Sequence, residues 1–154
     1  MMKRKETFKK IGIYLILPVV LGLLFSHFIL QFSNVCGDSM YPTYDNGDYV
    51  LVKKYDHQYQ KGDIVIVKDE NRELIKRIVG TPGDSITFQN HQLYVNGEKA
   101  KFYNYQGIEP KNFQSIALKK EEYLVIGDNF EVSYDGRSFG AVSKSRVIGK
   151  VVQF

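Results

Sequence analysis

The hydrophobic pattern of this chain begins with one long apolar stretch, residues 11–30, which is interrupted mainly by Ser26 and His27. A helix of this length spans the hydrocarbon core of a bilayer, which is about 30 Å thick. The stretch therefore predicts a retained transmembrane signal anchor. A cleaved secretory signal is the alternative, but its apolar core is usually about 7–15 residues long, and residues 31–35 contain no clear small-residue cleavage site.

Beyond residue 36 the pattern changes to short runs of β-branched and aromatic residues, separated by turn residues that include five Gly-Asp pairs. Such runs are typical of β-strands, and glycine and aspartate both favour turns. The predicted strands are 49–53, 64–68, 74–79, 85–88, 92–95, 123–126 and 147–154, with a tight turn at Asn96-Gly97. Because no run has sustained helical periodicity, residues 31–154 predict one compact all-β domain, with an exposed excursion over 98–121.

Positive charge is concentrated before the apolar stretch. The first ten residues hold five Lys or Arg and one Glu, whereas the rest of the chain holds 16 basic and 16 acidic residues. The sequence pI of about 9.0 therefore reflects the tail and does not indicate nucleic-acid binding. Basic residues before an anchor stay in the cytoplasm. We expect a cytoplasmic tail over 1–10, a single pass through the plasma membrane and its lipid, and an extracytoplasmic domain over 31–154.

Two residues carry candidate chemistry. Ser39 lies in a glycine-containing turn, nine residues beyond the predicted anchor. Lys76 shares a strand face with Leu74 and Ile78, so the alternation of side chains points it toward the buried side. Burial lowers the pKa of a lysine amine, and the free amine can then accept the proton of a serine hydroxyl. The pair predicts a serine protease at a membrane surface, although most turn serines and strand lysines have no such role.

Three ordered segments resemble the type I signal peptidases, which are membrane-anchored serine-lysine endopeptidases of the bacterial plasma membrane, in their Gram-positive form. The segments are Gly37 to Thr43 followed by Gly47-Asp48, then Lys76 to Asp84, then Gly127 to Gly140. The resemblance extends from the anchor to near the C-terminus. It implies a mainly β, signal-peptidase-like catalytic domain that takes part in protein secretion.

This resemblance implies a role for each matching residue. Ser39 would attack the scissile carbonyl of a preprotein, its backbone N–H would supply part of an oxyanion hole, and Lys76 would act as general base. Ser133 would orient the lysine amine by a hydrogen bond. Asp135 and Arg137 would form a structural ion pair behind the site.

The resemblance also implies the kind of substrate. Secretory preproteins with small residues at the first and third positions before the cut would bind as an extended strand, with those side chains in shallow apolar pockets. Met40 and Pro42 are the candidate substrate-binding residues. The resemblance implies no metal and no organic cofactor.

The chain departs from the family pattern in the third segment. Phe130 stands where arginine usually follows Gly-Asp-Asn, and Gly136 stands where serine usually separates Asp135 from Arg137. These changes bear on the stability of the loop rather than on the nucleophile or the base.

An alternative function is a non-catalytic or specialised factor for pilus or surface-protein assembly. A self-cleaving regulatory Ser-Lys protein is a third reading, although such proteins generally carry a further domain.

Histidine and cysteine give weaker signals. His27, His57 and His91 lie in contexts typical of structural or solvated histidines rather than of a Ser-His triad, and no close His or Cys pair predicts a metal site. Cys36 is the only cysteine, so the chain contains no internal disulfide. We expect it to be a small packed residue near the membrane.

Overall fold

The structure, a computed structural model, describes residues 14–22, 29–56, 58–89, 92–101 and 115–153. A one-turn helix, Gly136–Phe139, and a 3₁₀ turn, Lys144–Arg146, lie near the end of the chain. The strands, in chain order, are β1 (Leu30–Asn34), β2 (Tyr49–Lys53), β3 (Ile64–Asp69), β4 (Arg72–Gly80), β5 (Ser85–Gln89), β6 (Gln92–Val95), β7 (Glu98–Lys99), β8 (Ile116–Ala117), β9 (Glu122–Ile126), β10 (Val142–Ser143) and β11 (Val147–Val151).

The described strands form two antiparallel sheets. The larger sheet has the order β1-β2-β11-β3-β4-β9-β10, and the smaller has the order β7-β6-β5-β8. The prediction of a mainly β domain is confirmed, and all seven predicted strands are present. The sequence did not predict β1, β7, β8, β10 or the one-turn helix. Residues 102–114 of the predicted excursion lie outside the described residues.

The larger sheet curls so that its first strand approaches its fifth. Four strand spacings separate β1 from β4, which in a flat sheet would be roughly 19 Å. Yet Gln31 Nε2 on β1 donates to Glu73 Oε2 on β4 at 3.3 Å. The buried apolar side chains beneath this curl form what we call the concave core, which comprises Val35, Met40, Val50, Val52, Ile64, Ile66, Ile75 and Val151.

The two sheets meet around Gly80, at the end of β4. A Cβ at this position would lie 2.7 Å from both Ile86 Cδ1 and Leu118 Cδ1. The buried cluster between the sheets also contains Val79 and Leu124. Close packing at this junction therefore fixes the end of β4, the strand that carries Lys76.

The N-terminal part of the predicted anchor is described only over residues 14–22, which are helical and expose their apolar side chains. Among the described residues, no helix is both long and apolar enough to cross a membrane. Leu30, the last residue of the predicted anchor, lies in β1 instead of a helix.

Candidate active site

Ser39 and Lys76 lie side by side. Ser39 is in a tight turn, in which Tyr41 N donates to the Asp38 carbonyl oxygen at 3.2 Å. Lys76 is in the middle of β4 and is 2% exposed, which confirms the prediction that it points to the buried side. Its Nζ donates to Ser39 Oγ at 2.8 Å and to the Ile75 carbonyl oxygen at 2.7 Å. The amine is thus positioned to exchange a proton with the hydroxyl.

The surroundings of Lys76 favour its neutral form. Burial lowers the pKa of its amine from 10.5 to about 8, and the positive charge of Arg137 acts in the same direction. The carboxylates of Asp135 and Asp128 oppose this shift without cancelling it. A pKa of about 8 leaves roughly one tenth of the amines unprotonated at pH 7, which is enough for a general base.

Contacts from the third segment hold the serine turn in place. Asn129 N donates to the Ser39 carbonyl oxygen at 3.0 Å. Gly127 lies so close that a Cβ there would come within 2.5 Å of the same oxygen. Glycine at position 127 is therefore required by the approach of the two backbone segments.

An ion pair beside the site joins all three segments. Arg77, next to the candidate base, binds Asp128 through two hydrogen bonds, from Nε at 2.8 Å and from Nη2 at 2.6 Å. Thr43, from the serine turn, donates its hydroxyl to the same carboxylate. Arg77 Nη1 also donates to the Gly62 carbonyl oxygen at 2.8 Å. The sequence analysis did not predict that Arg77, Asp128 and Thr43 interact. The one indication was that Arg77 follows Lys76 directly on a strand, so that its side chain lies on the opposite face.

Asp135 and Arg137 form a second ion pair behind the site. Asp135 is fully buried, and its carboxylate accepts from Arg137 Nε at 2.8 Å and Nη2 at 2.9 Å. It also accepts from the backbone N–H groups of Gly127 and Arg137, and the latter bond caps the one-turn helix. This carboxylate therefore ties the helix to the backbone that packs on Ser39.

Comparisons with known proteins identify the family. A family model described as "Signal peptidase, peptidase S26" matches residues 5–154. The chain belongs to this signal peptidase family. It is 35% identical over 150 residues to Signal peptidase I S of Bacillus subtilis (strain 168), covering 88% of this chain and 82% of that protein. It is 33% identical over 154 residues to Signal peptidase IB of Staphylococcus aureus (strain N315), covering 86% of this chain and 81% of that protein.

The fold agrees with the family. A crystal structure of a signal peptidase I from Enterococcus faecalis V583 superimposes with a TM-score of 0.53 at 24% identity, covering 62% of this chain and 97% of that chain. The predicted resemblance to type I signal peptidases is confirmed, and the chain is a protease.

Ser133 is placed differently from its expected role in this signal peptidase. Its hydroxyl is buried and has no hydrogen-bond partner within the described part of the chain. It packs against Gly127, and the Ile75 carbonyl oxygen accepts from the Lys76 amine instead. A role of Ser133 in orienting the lysine stays a prediction.

Met40 and Pro42, the predicted substrate-binding residues, differ in accessibility. Met40 is 0% exposed and belongs to the concave core, so its side chain anchors the serine turn from below. Pro42 is exposed.

Cys36 was predicted to be packed, and this prediction is wrong: the thiol is exposed beside Asn34, whose Oδ1 is 3.5 Å from the sulfur.

The two departures from the signal peptidase pattern are well packed. Phe130 is buried between the Phe88 ring, at 5.1 Å between centroids, and the guanidinium of Arg137, which lies 3.6 Å from its ring centre. Gly136 lies against β9, where a Cβ would come within 2.7 Å of both Leu124 Cδ1 and the Val125 carbonyl oxygen. Both residues therefore fit the local packing of the loop.

A cleft leads away from the Ser39–Lys76 pair between β1 and the first half of β4. Its volume is about 130 Å³. The lining is apolar near the concave core and polar at the far end, and comprises Ser33, Asn34, Val35, Cys36, Ser39, Val50, Ile66, Glu73, Leu74, Ile75 and Lys76.

In the described part of the chain, no group of three or more His, Cys, Asp or Glu side chains is placed to hold a metal ion. His27, His57 and His91 lie outside the described residues.

Proposed function

We propose that this chain is a membrane-bound serine endopeptidase that removes N-terminal signal peptides from exported preproteins through a Ser39–Lys76 dyad. Membership of the signal peptidase family supports the reaction. The observation that carries the assignment of residues is the 2.8 Å approach of the Lys76 amine to the Ser39 hydroxyl, made by a lysine that is 2% exposed. The same approach favours an enzyme over a non-catalytic assembly factor.

In the proposed mechanism, Lys76 transfers protons between the Ser39 hydroxyl, the leaving amine and the attacking water. The neutral Lys76 amine accepts the hydroxyl proton as Ser39 Oγ attacks the scissile carbonyl carbon. The resulting ammonium then donates that proton to the leaving amine, and the signal peptide stays bound to Ser39 as an ester. The neutral amine next removes a proton from water, whose oxygen attacks the ester carbonyl carbon. The Lys76 ammonium then returns that proton to Ser39 Oγ as the ester bond breaks, which releases the signal peptide with a new C-terminal carboxyl group and restores the dyad.

The backbone of Ser39 would stabilise the oxyanion. Within the described residues its N–H donates no hydrogen bond, so it is available to the developing negative charge. The N–H of Gly37 is occupied, because it donates to Asn46 Oδ1 at 2.8 Å. A second donor would therefore have to come from another group.

Open strand edges support binding of the substrate as an extended peptide. On β4, β9 pairs only with Arg77, Ile78 and Gly80, so the residues from Arg72 to Lys76 have no described partner on that side. β1 is the first strand of the sheet and pairs only with β2 among the described strands. A peptide in the cleft would pair with such edges and place alternate side chains toward the apolar floor.

The apolar segment before β1 would hold the site at the outer membrane surface. We propose that the predicted anchor, residues 11–30, holds the chain in the membrane, with residues 1–10 in the cytoplasm and the catalytic domain outside. Ser39 follows Leu30, the start of β1, by only nine residues. Secretory preproteins, whose signal peptides are still in the bilayer, would then reach the serine directly.

Cleavage of a preprotein tests this function. Purified full-length protein in lipid would be incubated with a preprotein that carries small residues before its cleavage site, and the N-terminus of the product would be sequenced. We expect the wild type to produce the mature N-terminus and Ser39→Ala to produce none. Ser115→Ala, a change at an exposed serine outside the cleft, is the matched control and should retain activity. An active Ser39→Ala variant would refute the assignment of the nucleophile.

A further inference from the structure

The face of β1 and β2 that is turned away from the concave core carries apolar side chains. On β2, Val50 and Val52 point into the core, so Tyr49, Leu51 and Lys53 point outward. The strand register places the outward residues in three cross-strand pairs, which are Leu30 with Lys53, Phe32 with Leu51 and Asn34 with Tyr49. We call this surface the outer face.

The aromatic side chains of the outer face are adjacent and highly exposed. Phe32 is 77% exposed and Tyr49 is 78% exposed. They are diagonal neighbours across the two strands, within reach of each other's rings. By contrast, the outward positions of β5 in the smaller sheet are polar, as is typical of a sheet face in water: Ser85, Thr87 and Gln89. An exposed apolar patch of this kind indicates a surface that contacts a protein or a membrane.

The path of the chain favours the membrane as the partner of this face. Leu30, the last residue of the predicted anchor, is also the first residue of β1. Phe32 follows it by two residues, which is roughly 7 Å along the strand. The interfacial layer of a bilayer extends about 5–8 Å beyond the hydrocarbon core, and aromatic side chains favour that layer. The outer face therefore begins inside this layer when the anchor is in the membrane.

Lys53 adds a charge that suits lipid headgroups at the membrane end of the outer face. It lies opposite Leu30 in the register and forms no ion pair with any described residue. A lysine can lay its aliphatic stem along apolar side chains and extend its amine to the phosphates of lipids.

Tyr49 indicates how the outer face is oriented. Its partner Asn34 is four residues beyond Leu30, which is roughly 13 Å along the strand. If β1 pointed straight out from the bilayer, the Tyr49 ring would therefore lie beyond the interfacial layer, in water. If the face lies along the leaflet instead, both aromatic rings reach that layer. A groove of about 400 Å³ continues the same surface from Tyr49 and Leu51 to Val152.

We propose that the outer face of β1 and β2 lies along the outer leaflet, with Phe32 and Tyr49 in its interfacial layer and Lys53 at its phosphates. This inference rests on the proposed function, which places an anchor before β1. Ser33 and Val35 alternate with the outward residues of β1 and line the cleft. This orientation therefore leaves the cleft open and holds it next to the leaflet from which a signal peptide emerges.

Tryptophan fluorescence tests the proposal, because the chain contains no tryptophan. Full-length variants with one tryptophan each, Phe32→Trp, Tyr49→Trp and Tyr94→Trp, would be placed in nanodiscs, one chain per disc. The discs would contain either ordinary lipid or lipid brominated on the acyl chains near the headgroup, which quenches an indole that touches it. We expect brominated lipid to reduce the emission of Phe32→Trp and Tyr49→Trp by at least about half. Tyr94→Trp, the matched aromatic exchange on β6 of the smaller sheet, should lose less than about a tenth.

Three results would overturn the proposal. Quenching of Phe32→Trp without quenching of Tyr49→Trp would show that β1 stands upright on the membrane. Equal quenching of Tyr94→Trp would show that lipid contact is not a property of the outer face. A blue-shifted Tyr49→Trp spectrum that brominated lipid does not quench would assign the face to a protein partner. A wild type that stays in the discs but cleaves no preprotein would instead refute the proposed peptidase activity, and the quenching result would stand, because it requires no turnover.

Discussion

At the scale of single residues, the environment of Lys76 sets the conditions under which the site can act. Desolvation disfavours the ammonium, whereas the carboxylates of Asp135 and Asp128 favour it. Desolvation is the larger effect, and the pKa of the amine is about 8. Both carboxylates are held by arginines, which reduces their effect on the lysine.

This pKa predicts the pH dependence of cleavage. The base is active when unprotonated, so kcat/KM should increase about tenfold per pH unit below pH 7 and level off above a midpoint near 8. The measurement is kcat/KM for a model preprotein from pH 5.5 to pH 9.5, with circular dichroism to verify that the protein is folded at each pH. A profile that is flat between pH 5.5 and pH 8 would contradict the role of Lys76.

The sequence predicted the burial of Lys76 but not its surroundings. Alternation along one strand was sufficient to place the side chain toward the interior. The partners Ile75, Asp128 and Asp135 could not be predicted in that way, because their approach depends on how β4 packs against the third segment. The placement of Met40 shows the same limit, since a residue beside the nucleophile proved to lie in the core.

At the scale of elements, a buried carboxylate organises the third segment. Asp135 caps the one-turn helix Gly136–Phe139, pairs with Arg137 and accepts the Gly127 N–H. A buried charge that loses its partner is costly, because nothing replaces the water it gave up on folding.

We therefore predict that Arg137→Leu destabilises the domain by about 3–5 kcal/mol, measured by urea unfolding. Arg72→Leu provides the comparison. Arg72 also pairs with an aspartate, but its side chain is 60% exposed and Asp69 keeps Arg146 as a partner. This change should cost less than about 1 kcal/mol. Equal losses in the two variants would show that burial of Asp135 does not determine the effect.

Strands could be predicted from the sequence where β-branched residues were concentrated next to turn residues. The run Ile64-Val65-Ile66-Val67 is β-branched throughout and directly follows the turn pair Gly62-Asp63, so its strand was clear. β1 was missed because its sequence, LQFSN, has no β-branched residue and begins at the last residue of the long apolar stretch. The one-turn helix was missed because four residues are too few to show a helical period.

At the scale of the whole molecule, the curl of the larger sheet creates the cleft. It brings β1, which follows the apolar segment, to the strand that carries Lys76. Strand order and curl arise from contacts between residues that are far apart in sequence, so no local pattern could predict them. The sequence placed the nucleophile and the base in separate segments, and the fold brings them within hydrogen-bond distance.

The single cysteine allows the proposed topology to be tested. Cys36 is exposed and lines the cleft beside Ser39. If the domain lies outside the cytoplasm, a membrane-impermeant maleimide added to intact cells should label the full-length protein at this thiol. Cys36→Ser should abolish the labelling. Labelling that requires permeabilised cells would place the domain on the cytoplasmic side.

The central claim is that Lys76 activates Ser39, and the most direct test is the single-turnover cleavage rate of Lys76→Ala. We expect a rate at least about a thousandfold below that of the wild type at pH 8, because the serine loses the one base that hydrogen-bonds to its hydroxyl among the described residues. Lys99→Ala, on β7 of the smaller sheet, should cleave at the wild-type rate. A folded Lys76→Ala protein that cleaves within tenfold of the wild type would contradict the account.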